Sequence, residues 1–109
     1  MTRIKIVTFV PIDHADDVRD ALGAAGAGVI GEYRYCSFSV TGTGRYIPSS
    51  AASPYIGQAN QLEATSEERI EVVCERRNAK EIIRALRAAH PYEEVALDIY
   101  ELVDESEIG

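Results

Sequence analysis

At 109 residues the chain is the size of one ordinary domain, and its 18 acidic against 11 basic residues give a formal charge of −7. The basic residues are scattered rather than gathered into a tract, so the concentrated positive surface that a phosphate backbone requires is missing and nucleic acid is not expected as a partner. No stretch approaches the roughly 20 apolar residues of a membrane span, and no apolar run follows Arg3 and Lys5 at the N-terminus, so a cytoplasmic protein without a membrane partner is expected.

Residues 3–10 alternate, with Ile4, Ile6 and Thr8 on one face and Lys5, Val7 and Phe9 on the other, which is strand periodicity with both faces partly apolar. Pro11 stops it. Asp13 is suited to an N-cap, and Asp16 and Asp17 place negative charge where the first turn of a helix favours it. Val18, Ala21, Leu22 and Ala25 then repeat at helical spacing until Gly26 and Gly28 supply a stop.

Alternation returns from Tyr33 to Val40, and Thr41-Gly42-Thr43-Gly44 is expected to break it, with Arg45-Tyr46-Ile47 running back as a short hairpin partner. From Pro48 to about Ser66 no period can be counted. A connection of that length in a small domain is either a contact surface or a flexible loop.

Residues 68–76 alternate strongly, as a half-buried strand does. Asn78 with Glu81 reads as a capping box, and Ile82, Ile83, Leu86 and Ala89 form the buried stripe of a second helix. Pro91 drives His90 out of the α region and ends that helix. Val95, Leu97 and Ile99 mark a last strand, and the acidic tail from Asp104 to Gly109 is expected to fray.

The order β-α-β-β-α-β with an extra hairpin arm predicts an α/β (α+β) sandwich of the ferredoxin-like kind. One domain is expected over residues 1–103, with 104–109 as a C-terminal tail. Cys36 and Cys74 lie in strand-like segments without a CxxC neighbour, so both are expected to be reduced and mostly buried. A domain this short buries less than roughly 70% of its unfolded surface, which favours association with copies of itself.

Two places invite chemistry. The glycines of Thr41-Gly42-Thr43-Gly44 would let backbone N–H groups approach an anion, but no helix follows them and no phosphate-loop pattern is present, so a hairpin turn or bulge fits better. His90, Tyr92, Glu93 and Glu94 crowd an imidazole, a phenol and two carboxylates into a helix-to-strand junction. That set could bind a divalent metal ion through His90 and Glu93, or move protons. It could equally cap the helix and pack a ring. No Ser/His/Asp or Cys/His constellation can be assembled, and no catalytic residue is assigned.

The residues Tyr33, Cys36-Ser37-Phe38, Gly42, Gly44, Tyr46 and Pro48, then Pro54, Ile56-Gly57, then Glu68 and Arg69 through Val73, and finally His90-Pro91-Tyr92-Glu93-Glu94-Val95-Ala96 with Asp98-Ile99-Tyr100, resemble the insert domain of the Nif-three-like dinuclear-metal hexameric proteins. In that family the corresponding segment is similar to the PII signal proteins and the CutA divalent-cation-tolerance proteins. The resemblance implies a stand-alone counterpart of the insert that forms a homo-oligomer, a trimer first and a dimer second, with ligand clefts between subunits. The family's paired metal ions are held by the flanking domain, so its cyclohydrolase-type activity is not implied here.

The expected function is a non-catalytic binding or regulatory module taking a small ligand or metal ion between subunits. Gly42, Gly44, Tyr46, His90, Tyr92, Glu93 and Glu94 are its candidate ligand-binding residues. A metal-dependent enzyme using the turn at His90–Glu94 and a purely structural interaction domain are the alternatives. The functional surface is expected to join the arm at 42–58 to that turn across a subunit boundary.

Overall fold

The computed structural model describes residues 2–109. Strand β1 (Arg3–Pro11) leads through a 3-10 turn at Ile12–His14 into helix α1 (Ala15–Ala24). Strands β2 (Phe38–Tyr46) and β3 (Glu63–Glu75) follow, then a second 3-10 turn at Arg76–Asn78, helix α2 (Ala79–Ala89) and strand β4 (Leu97–Leu102). The sheet order is β2-β3-β1-β4, and every neighbouring pair is antiparallel. This is the expected ferredoxin-like arrangement.

Strand periodicity decides which face of the sheet the helices cover. Ile4, Ile6 and Val10 of β1 and Ile70, Val72 and Cys74 of β3 point beneath the helices, where Val18 and Leu22 of α1 and Ile82 and Leu86 of α2 close over them. Each helix contributes its residues at i and i+4, the spacing that puts them on one stripe. Burying each large aliphatic of this set contributes about 1.5–3 kcal/mol. Thr8 lies on the same buried face, and its hydroxyl is satisfied by donating to the Ala96 carbonyl at 2.9 Å.

Asn78 does occupy the N-cap position of α2, whereas the N-cap of α1 is His14 rather than Asp13, and the expected capping bonds do not form. Asp13 and Asn78 fall inside the two 3-10 turns, and neither makes a side-chain cap bond. The turns do the work instead, because the Ala15 and Ala79 N–H groups donate to the Ile12 and Arg76 carbonyls. Glu81 pairs with Arg84 on the helix surface. The end of α1 does follow prediction. Gly26 takes φ 103°, its N–H donates to the Gly23 carbonyl, and the Ala27 N–H reaches back to Leu22, which is a Schellman closure.

The largest departure is in the arm. Residues 33–37 are irregular, and β2 begins only at Phe38 and runs through Gly42 and Gly44 without a break. Arg45 and Tyr46 continue the strand rather than folding back. Its partner β3 is correspondingly longer than its apolar alternation indicates and starts at Glu63, so the patternless connection shrinks to residues 47–62. Beyond Glu67 toward its start, β3 pairs with β2 alone among the described residues, and the two strands project as an arm of a molecule measuring 49 × 29 × 23 Å. Strands that leave the core lose the constraint that imposes alternation, which is why the pattern fades there.

Cys74 is buried as expected, whereas Cys36 lies outside any strand and is partly exposed. Both are free thiols. The C-terminal tail forms one 3-10 turn, Glu105–Glu107, capped by the Asp104 carboxylate accepting from the Ser106 N–H. No helix among the described residues is long and apolar enough to cross a membrane.

Candidate functional site

The face of the sheet away from the helices carries Phe9 of β1, Arg69 and Glu67 of β3, and Val40, Gly42, Gly44 and Tyr46 of β2. The connection 47–62 folds over these residues and the turn after α2 closes the other side. Together they enclose an open groove of about 790 Å³. Gly42, Gly44, Tyr46, Tyr92, Glu93 and Glu94 all line it, so six of the seven candidate ligand residues share one wall system. His90 does not.

The arm and the turn are joined within one chain. The Ser53 N–H donates to Glu93 Oε1 at 2.9 Å, and the Tyr46 and Tyr92 rings meet edge-on with centroids 6.2 Å apart. Tyr55 adds a third ring 6.4 Å from Tyr92. The connection is pinned from below by the Tyr46 hydroxyl donating to the Ile56 carbonyl at 2.7 Å and by the Asn60 N–H donating to the Pro48 carbonyl at 2.6 Å.

His90 stands behind this wall as a fastener. Its backbone is extended at φ −83°, ψ 134°, as the following proline demands. Nε2 sits 2.6 Å from the Phe9 carbonyl, and Nδ1 accepts the Tyr92 N–H at 3.1 Å. A carbonyl can only accept, so the proton is on Nε2 and the ring is neutral. Burial holds the imidazole below its ordinary value of 6.5, against the opposing pull of the Phe9 carbonyl. With both nitrogens committed to backbone, the expected metal pair of His90 and Glu93 does not match the geometry. No group of three His, Cys, Asp or Glu side chains placed to hold a metal ion occurs among the described residues.

Sequence reasoning missed Glu67, the residue at the centre of the groove. It is 7% exposed, and its Oε2 accepts the Tyr92 hydroxyl at 2.6 Å. Burial first, and then this bond, push the Tyr92 phenol well above its ordinary value of 10.0, so it stays protonated and acts as a donor. Gly44 makes the arrangement possible: a Cβ at that position would overlap Glu67 Oε1. Its missing side chain thus leaves room for the Glu67 carboxylate. Nothing in the sequence marks Glu67, because it sits in a run of alternating charge with Arg69 and Glu71 on the face the core does not use.

Arg69 is held in the floor by two contacts. Its Nε donates to Glu71 Oε2 at 3.0 Å, and its guanidinium carbon lies 5.7 Å from the Phe9 ring centroid. Lys5 Nζ approaches the other Glu71 oxygen at 3.0 Å. These two cations, Lys5 more than Arg69, hold the Glu71 carboxyl below its ordinary value.

A four-stranded antiparallel sheet with two helices on one face and a long β2–β3 arm defines a CutA- and PII-like domain. CutA1 from Pyrococcus horikoshii superposes with a TM-score of 0.69 at 16% identity, over 93% of this chain and 84% of that one. The GlnK-ATP complex of Bacillus subtilis gives 0.64 at 10% identity, over 93% and 82%. At such identities the likeness concerns the fold alone.

The closer relationship is to larger proteins. A GTP cyclohydrolase 1 type 2 homolog of Mycobacterium leprae is 48% identical over 99 residues, covering 91% of this chain and 26% of the relative. A Bacillus cereus protein related to NIF3 matches with a TM-score of 0.83 and 45% identity, over 94% of this chain and 26% of that one. No protein-family model matches the chain. The chain is therefore a homologue of one segment of the Nif-three-like proteins, and it spans about a quarter of the length of the relatives it matches.

Proposed function

We propose that this domain is a self-associating binding module, without catalytic machinery of its own, that takes a small ligand in the groove between the β2–β3 arm and the turn at 90–94. The observation that carries the reading is the groove itself. A concavity of about 790 Å³ with an apolar wall, three tyrosines and one buried carboxylate has the make-up of a ligand site rather than of a solvated surface. Gly42, Gly44, Tyr46, Tyr92, Glu93 and Glu94 are its contact residues, and His90 positions the turn.

Oligomerisation enters through the same face. Phe38 and Val40 are 65% and 49% exposed on β2, an edge strand of the sheet, and covering them removes apolar surface from water. The fold shared with CutA and PII proteins supports a trimer, with the groove closed by a neighbouring subunit. A divalent cation as ligand, which the name of the CutA relatives raises, would have to be held by carboxylates and carbonyls of the groove, since His90 has no free nitrogen. The cyclohydrolase designation of the larger relatives is not extended to this segment.

Native mass spectrometry of the purified chain tests both halves of the proposal. A trimer that carries a small-molecule adduct, lost on Tyr46→Ala substitution, is the expected result. A monomer at micromolar concentration, with no retained species and no saturable binding of any small molecule, overturns it.

A further inference from the structure

We infer that the groove selects a small organic cation bearing N–H groups, an alkylammonium or guanidinium with an apolar body, and that Glu67 is the residue that recognises its charge. The inference rests on the groove being a ligand site, and it names the chemistry of that ligand.

Among the described residues Glu67 is the one carboxylate counted among the buried side chains. It forms none of the ion pairs found among the described residues. One oxygen, Oε2, is occupied by the Tyr92 hydroxyl. The other, Oε1, has no protein donor, yet it is not sealed away as an unsatisfied buried atom, so it opens on the groove that Glu67 lines. A desolvated carboxylate with one free oxygen is a strong acceptor waiting for a charged donor.

The surroundings near Glu67 favour a cation, although Arg45, exposed and outside every ion pair among the described residues, also stands at the edge of the groove. Tyr46, Tyr55 and Tyr92 gather around the same space, with successive ring centroids 6.2 and 6.4 Å apart. Tyrosine rings attract positive charge through their quadrupole. Arg69 also lines the groove, but its guanidinium is already committed to Glu71 and to the Phe9 ring, so it leaves Glu67 unpaired. The remaining wall, Val40, Ile47, Pro54 and Ile56, suits a hydrocarbon body. A net charge of −7 draws cations toward the molecule at long range.

Calorimetric titration of the full chain with phenethylammonium chloride, and in parallel with the neutral 3-phenylpropan-1-ol, tests the assignment. The cation is expected to saturate one site per chain and to bind more tightly than the alcohol. Glu67→Gln keeps the shape and an acceptor for Tyr92, and it should weaken the cation about tenfold or more, and the alcohol, whose O–H carries no charge to the same oxygen, by much less. Circular dichroism and a melting curve confirm that the variant folds. Tyr55→Leu, which leaves Glu67 untouched, should weaken the cation more than the alcohol. Equal binding of cation and alcohol, or cation affinity unaltered by Glu67→Gln, overturns the assignment while leaving a ligand groove in place. Failure of the cation to bind overturns it too, and a small molecule retained in native mass spectrometry would then show that the groove reading itself survives.

Discussion

Beneath α1 and α2 the sheet presents Ile4, Ile6, Val10, Ile70 and Val72, none more than 4% exposed, whereas its other face presents Lys5, Phe9, Glu67, Arg69 and Glu71 around a buried Val7. The first face is held by apolar packing, which is non-directional and tolerates exchange of one aliphatic for another. The second is held by hydrogen bonds and charge pairs between particular atoms. The proposed binding chemistry lies on the second face, whose groups keep valences that packing does not use up. Only a face relieved of the task of holding the helices can leave Glu67 Oε1 unspent.

The sharpest way to break this division is on the packed face. Ile82→Ala removes a side chain with no exposure from between α2 and the sheet and should cost about 2–5 kcal/mol, read from urea unfolding. The groove should survive it, so a phenethylammonium affinity unchanged in the folded fraction would show that the two faces are energetically separate.

On the open face the effects should be smaller and more specific. Tyr92→Phe leaves Glu67 Oε2 without its donor and should cost about 1–3 kcal/mol in the same unfolding assay. If it costs nothing, the Tyr92 hydroxyl is not what holds the turn against the arm.

His90 links the faces, and pH reads it. Its folded value lies below the ordinary 6.5, so the unfolded chain takes up a proton that the folded chain refuses. The stability tied to its neutral form is complete above about pH 6.5 and is lost as pH falls from there through the depressed folded value. In His90→Gln the slope of stability between about pH 7 and pH 5 should flatten, since that proton uptake is gone. An unchanged slope would place the acid sensitivity in other groups.

The smallest effect belongs to neither face. Arg84 pairs with Glu81 on the exposed side of α2, and Arg84→Ala should change stability by no more than about 0.5 kcal/mol in thermal melts. A larger loss would mean that another subunit covers that side of the helix.

Wherever one pattern served the core, it was legible. The alternation of β1, the helical stripe Val18–Leu22, the stripe Ile82–Leu86 and the stop at Pro91 all follow from burying one side of an element, and the fold class follows from their order. In the arm the local signals put the break in the wrong place, because glycines at 42 and 44 are turn signals in isolation. In the folded chain they are ladder residues, opposite Glu67 and Thr65.

The turn from His90 to Glu94 was recognisable as a crowd of functional groups, but which of them face the groove was not. Proline fixed the backbone of His90 locally, and only the approach of the Phe9 carbonyl, 81 positions away in the chain, consumed its second nitrogen. Glu67 carries no mark in its own neighbourhood. Its role depends on Gly44 leaving room across the ladder and on Tyr92 arriving from beyond α2. The amino-acid order by itself determined the core-packed elements and the buried face, though not the arm, since periodicity is a property of neighbours in sequence that burial imposes. Which carboxylate is desolvated, and which of its oxygens stays free, was decided by the tertiary structure, because desolvation is done by residues far away in the chain.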